Sequence, residues 1–285
     1  MPIGRIAAKH AIDGAPPPGD LAGWFADGGG EPHPEALGFR AAPGGVHLSK
    51  TMMLAELTAA MAASPGGGAM RHAVLIDNVL GKGTGAARRL ALSRLNTLYG
   101  IAASWPIQAA ALRLWPKNAA GRPILALLCA LAREPLLRAT ANVVLSASHG
   151  TSVRWPDLAA AVERGYPGRY SPNTVQSLAR NCASSWTQSG HLKGKINKRR
   201  AVADPSPEAA AFAALLGTMA GFGGPALLRS PWMLVLDRSE ADMLSLLRRA
   251  ESAGLAQVRA GGGVVQIGVR RPMAQMLEIP DLADR

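Results

Sequence analysis

Catalytic constellations are what this 285-residue sequence most plainly lacks. There is no His-Glu-x-x-His, no clustered Cys/His set and no Gly-x-Ser-x-Gly elbow, so zincin-type and hydrolase chemistry have no carrier. None of the seven lysines has Asp or Glu two positions before it, which removes the acid-x-Lys element of common metal-dependent nucleases. The six histidines, His10, His33, His47, His72, His149 and His191, are scattered and read as surface or packing residues. Gly81-Lys82-Gly83-Thr84-Gly85 imitates a phosphate loop, but Gly83 follows Lys82 where Ser or Thr is needed, and position 76 is Ile. The sequence therefore reads as a binding protein rather than an enzyme, with no cofactor and no metal.

Cysteine is also scarce. Cys129 and Cys182 lie far apart in apolar helical patterns, which excludes a disulfide framework or a Cys-based zinc site and suits a reducing cytoplasm. The longest apolar run, 124–132, is too short to span a bilayer. Residues 1–30 show no basic segment followed by the apolar run of a secretory signal. A soluble cytoplasmic protein with no membrane partner is expected. Aromatics make up 5% of the chain against 48% hydrophobic residues, and the apolar content leans on Ala and Leu, which favour helices.

Acidic residues are missing from one stretch in particular. Residues 78–200 carry 18 Lys/Arg against Glu134, Asp157 and Glu163 alone, a net +15, whereas 1–77 and 201–285 net −2 and −1. The whole excess of +12 is thus concentrated in one block, the pattern of a surface for a polyanion, most commonly a nucleic acid.

Along the chain, 1–45 reads as an irregular arm rich in Pro and Gly, with a Leu21, Trp24, Phe25 cluster. Residues 46–139 read as a helical domain. Its helices are expected at 50–63 with Ser49 as cap, at 70–80, from Thr84 to about 99, at 104–114, at 121–132 and from 134 to 146. Lys82, Arg88, Arg89 and Arg94 surround the Thr84-capped helix start, which reads either as an anion site or as a capped turn with solvated cations.

Residues 140–204 carry the strongest local pattern. A helix near 155–164, a turn, a Ser171-Pro172 start opening a helix to about 190, and the basic segment 192–202 follow in the order of a winged helix-turn-helix module. In such a module the third helix lies in the major groove and the wing follows the backbone or minor groove. Asn173, Thr174, Gln176, Arg180 and Asn181 would form the polar face of that helix, and Lys193, Lys195, Lys198, Arg199 and Arg200 the wing. A protein-contacting winged helix is the other use of the pattern; the five cations favour phosphate. Residues 205–285, with helices at 208–219 and 239–252 and strands at 255–259 and 264–269, suggest a small α+β domain, as a second winged helix or a protein-contact module. The expected fold class is mainly α, a helical bundle with a winged helix-turn-helix module and this C-terminal domain.

Asn78-x-Leu80-x-Lys82-x-Thr84 leading into an Arg-rich helix, then Ser171-x-x-Thr174 opening a long helix that ends in Gly190-His191-Leu192, resembles the BrxA proteins of bacterial BREX phage-defence systems. The resemblance covers roughly residues 45–200. It implies a nearly all-helical fold with a winged-helix portion and a portion similar to the antitermination factor NusB, double-stranded DNA binding, and other defence-system proteins as partners. By matching position it implies DNA contacts at Lys82, Arg88, Arg89, Arg180 and Lys193. The arm and the roughly 80 residues after the wing depart from the family. A transcription regulator, an RNA-binding antitermination-like adaptor and a protein-interaction scaffold remain the alternative roles.

Overall fold

The computed structural model describes residues 22–27, 34–43, 45–63, 67–101, 105–261 and 264–283, which are mainly helical with two small antiparallel sheets. After a 3-10 turn at Ala22–Trp24 come α1 (Pro34–Leu37), a turn at Val46–Leu48, α2 (Leu54–Ala63), α3 (Gly67–Leu75), α4 (Gly85–Tyr99), α5 (Pro106–Leu114) and α6 (Arg122–Arg133). The short α7 (Pro135–Arg138) and α8 (Ala141–Leu145) lead into α9 (Trp155–Gly165), α10 (Pro172–Gln188) and the strands β1 (Leu192–Lys193) and β2 (Arg199–Arg200). The chain then forms α11 (Pro207–Met219), α12 (Gly224–Leu228), α13 (Pro231–Leu234), α14 (Glu240–Ser252), the hairpin β3 (Gln257–Gly261) and β4 (Val264–Gly268), and α15 (Arg270–Met276).

Hydroxyl caps fix many helix starts. Thr84, Ser171, Ser206, Ser230 and Ser239 each accept a backbone N–H from three residues on, and proline follows Ser171, Ser206 and Ser230 where its missing donor costs nothing. Elsewhere the boundaries differ from expectation. The helix expected from residue 50 starts at Leu54, because Met53 takes a left-handed φ of 54° and Met52 N–H donates instead to Ser185 Oγ at 2.9 Å. The helix expected to reach residue 80 stops at Leu75, and Asn78, at φ 54°, uses its Oδ1 to accept the Lys82 N–H. The 134–146 segment is broken into α7 and α8, with Glu134 outside both.

The charge-poor helices α6 and α11 pack on each other at the centre, every residue from Ile124 to Arg133 and from Ala209 to Gly217 being buried. Gly217 allows the close approach of α12, since a Cβ there would sit 2.5 Å from Leu227 Cδ1. Most of the expected arm lies outside the described residues, Leu21 among them. The described part consists of short turns and α1, which has no buried residue, but Trp24 and Phe39 are core: Trp24 meets Trp232 edge-on at 4.7 Å, and Trp232 Nε1 donates to Trp24 O at 2.8 Å across 208 residues. Buried residues of all four expected segments form one continuous cluster from Trp24 to Leu282.

Candidate nucleic-acid interface

Helix α10 is amphipathic at the helical period. Val175, Leu178, Ala179, Cys182 and Trp186 are buried, whereas Asn173, Ser177 and Arg180 recur on the open side. Thr174 is partly turned in, its hydroxyl 2.9 Å from that of Ser171, and Gln176 is half-buried. Asn181 points to the fold, donating to His47 O at 3.0 Å. Arg180 is held over the Trp155 ring, 5.1 Å from its centroid, so a cation on the open face is oriented by an indole that opens α9 and is itself 36% exposed.

The hairpin after α10 follows the two-residue alternation of a strand. Lys193 pairs with Arg199 on the exposed side, and Leu192 pairs with Arg200 on the buried side. Its second strand is also backed by the segment before α9: Ser152 bridges Arg199, Val153 N–H donates to Lys198 O and Arg200 N–H to Thr151 O, each at 2.9 Å. Lys193, Lys195 and Arg199 are exposed; Arg199 Nη1 also reaches Gly150 O at 3.0 Å. Lys198 is drawn back, donating to Thr187 Oγ1 at 2.8 Å, and partial burial holds its ammonium below the ordinary lysine range.

Arg200 corrects the expectation of five wing cations. It is 1% exposed, and its two terminal nitrogens donate to Asp237 Oδ1 and Oδ2 at 2.7 and 3.0 Å and to the carbonyls of His191 and Ala201. The physical reason is register: opposite the buried Leu192, a long cationic chain is forced inward and survives there only with a carboxylate. Burial alone would push the Asp237 carboxyl up, but the Arg200 hydrogen bonds and the Ala203 N–H outweigh it and hold the group below the usual range. Two further cations of the basic block, Arg133 and Arg138, are buried on backbone carbonyls. Arg138 closes the C-terminal end of α6 by reaching Leu131 O and Ala132 O, and burial pushes its pKa down to about 10. Fifteen of the block's 18 Lys/Arg thus remain at least partly exposed, against Asp157 and Glu163 as the exposed acids.

Around the first motif the cations are more committed. Lys82 Nζ lies 3.1 Å from Glu56 Oε1, Arg88 donates to Leu75 O at 2.9 Å and Arg94 to Ser49 Oγ at 2.9 Å, leaving Arg89 as the exposed member of the four. The segment 46–53 connects the two clusters, taking Arg94 on Ser49 and Asn181 on the His47 carbonyl.

Behind α10 lies a series that resembles a hydrolytic triad: Glu134 Oε2 is 3.3 Å from His47 Nδ1, and His47 Nε2 is 2.8 Å from Ser185 Oγ. All three residues are fully buried, Ser185 donates to Asn181 O and accepts the Met52 N–H, and Glu134 also accepts the N–H groups of Val46 and His47. The arrangement has no room for a substrate, and what it does is fasten the 46–53 segment to α6 and α10.

Sequence reasoning did not single out Trp155, Asp237 or Ile196. A proline-flanked aromatic at a helix start was the available signal for Trp155, and the lone apolar residue in a cation run for Ile196; nothing local marked Asp237. Among the described residues no group of three His, Cys, Asp or Glu is placed to hold a metal, and no helix is long and apolar enough to cross a membrane. Comparison with protein-family models, with curated proteins and with solved structures gave no match.

Proposed function

We propose that this chain is a non-catalytic, cytoplasmic accessory protein that binds double-stranded DNA and serves a BREX-like anti-phage defence system, with other proteins of that system as partners. Residues 140–204 act as its winged helix-turn-helix module. The observation that carries the reading is the set of exposed cations on two packed elements, Arg180, held by Trp155, on α10 and Lys193, Lys195 and Arg199 on the following hairpin. The order of α8, the Ser152 bridge, α9, α10 and the hairpin supports it, as does the resemblance of 45–200 to BrxA proteins. Asn173 and Ser177 supply polar groups for base edges, and the hairpin cations supply phosphate contacts, which position without specifying sequence.

The test is fluorescence-anisotropy binding to a random-sequence duplex over a salt series, comparing wild type with a Lys193/Lys195/Arg199→Ala variant. Log affinity falls with log salt, and the variant loses about 0.9 from the slope for each phosphate contact removed. Absence of binding at low salt overturns the reading. Structured RNA competing better than duplex DNA moves it to the RNA-binding adaptor.

A further inference from the structure

Ile196 is the most exposed of the described large apolar side chains, at 88%. It stands at the tip of the β1–β2 hairpin, between Lys195 and Asn197, and no part of the fold uses it. The hairpin that presents it is tied into the fold at its base. Gly194 turns at φ 104°, with no room for a Cβ, which would lie 2.3 Å from Asn197 O; Lys198 is tied to Thr187; and the base is fixed by the segment 150–153 on one side and by the Arg200–Asp237 pair below. Around Ile196 stand Lys193, Lys195 and Arg199, none with a carboxylate partner among the described residues.

An isolated apolar residue at the end of a narrow ribbon whose exposed cations have no carboxylate partner among the described residues is complementary to a groove with anionic walls and an apolar interior. The minor groove of a duplex has that character: phosphates form its rims, and stacked base faces become accessible when a step opens. A protein partner would have to offer three carboxylates around a single small pocket. Insertion of one isoleucine into a bilayer buries too little apolar surface to hold the chain.

We infer that Ile196 is a wedge that enters the minor groove and partly unstacks one base step, while Lys193, Lys195 and Arg199 grip the flanking phosphates. The inference rests on the nucleic-acid reading above and adds to it a deformation of the DNA.

The experiment uses the full chain and a short duplex carrying 2-aminopurine within it and donor and acceptor dyes at its ends. Wild type raises the 2-aminopurine fluorescence on binding and bends the duplex by about 20° or more. Ile196→Ala loses both signals and about tenfold in affinity with an unchanged salt slope. Ile196→Leu keeps both signals. Because the side chain is outside the core, both variants melt with wild type, which a thermal scan verifies. Wild-type binding without either signal, or signals that persist in Ile196→Ala, overturns the wedge and leaves the binding reading standing. Ile196-dependent binding to phosphatidylserine vesicles without DNA deformation also overturns it. Failure of wild type to bind the duplex at low salt defeats the underlying reading.

Discussion

Removing the Asp237 carboxylate tests whether Arg200 anchors the hairpin or touches DNA. In Asp237→Ala the guanidinium, 1% exposed in the wild type, keeps its carbonyl contacts at His191 and Ala201 but loses its counter-charge, and the Ala203 N–H loses its acceptor. Breaking a buried pair in this way costs about 3 kcal/mol or more, which for a chain of this size lowers Tm by roughly 5 °C. Most of the cost belongs to the stranded cation, so replacing both partners, as Arg200→Met with Asp237→Asn, whose side chain tolerates the left-handed φ of 56° at this position and still accepts the Ala203 N–H, restores most of the loss. That double variant binds the duplex with the wild-type salt slope, because the exposed cations Lys193, Lys195 and Arg199 are untouched. The assays are a thermal melt by circular dichroism and the anisotropy salt series. If Asp237→Ala melts with wild type, or if Arg200→Met keeps its Tm while flattening the slope by about 0.9, Arg200 is a phosphate contact and the anchor argument is wrong.

The same corner of the fold sets an acid response. Burial pushes His191 down to about 4, whereas the unfolded chain protonates it near its ordinary 6.5. Between those values the unfolded state binds the extra proton, so about 3 kcal/mol of stability present above pH 6.5 is lost as pH falls to 4, and Asp237, held low in the folded state, gives way in the same direction below its own range. An acid dependence of Tm that survives unchanged in His191→Gln would sink this assignment. Trp155→Ala releases Arg180 from its ring and should weaken duplex binding about threefold with little change in Tm, a cation–π contact at an exposed site being worth about 0.5–1 kcal/mol; equal affinity would show that Arg180 needs no support. Gly194→Ala forces a side chain into a left-handed turn and should loosen the hairpin, seen as faster hydrogen exchange at the Val153 and Arg200 amides, with global Tm nearly unchanged. Unaltered exchange would mean that the turn has another way to close.

Features encoded within a few residues were legible in the sequence. Ser171-Pro172 announces the start of α10, Thr84 that of α4, and the uncharged run 124–132 marks a helix for the centre. The basic hairpin was legible too, and its alternation even held the clue to Arg200: once Leu192 faces inward, its partner at 200 must do the same. What the local pattern could not carry was the carboxylate that makes this tolerable, 37 residues further on in Asp237. Glu134 is similar. Its backbone partners Val46 and His47 are 88 and 87 residues away, a commitment that no local window contains. The charge count was sound as a sum yet included Arg133, Arg138 and Arg200, which long-range packing turns inward.

The Trp24–Trp232 contact has a consequence for how the protein is made. The Trp24 indole meets its partner only after more than 200 further residues have left the ribosome, and Ala26 likewise waits to donate to Ala220 O at 2.8 Å. Until Trp232 emerges, then, the side of Trp24 that it covers stays open, and a contact of such sequence separation forms late. Nascent chains halted near residue 204 should therefore still present the Trp24 indole to chaperones.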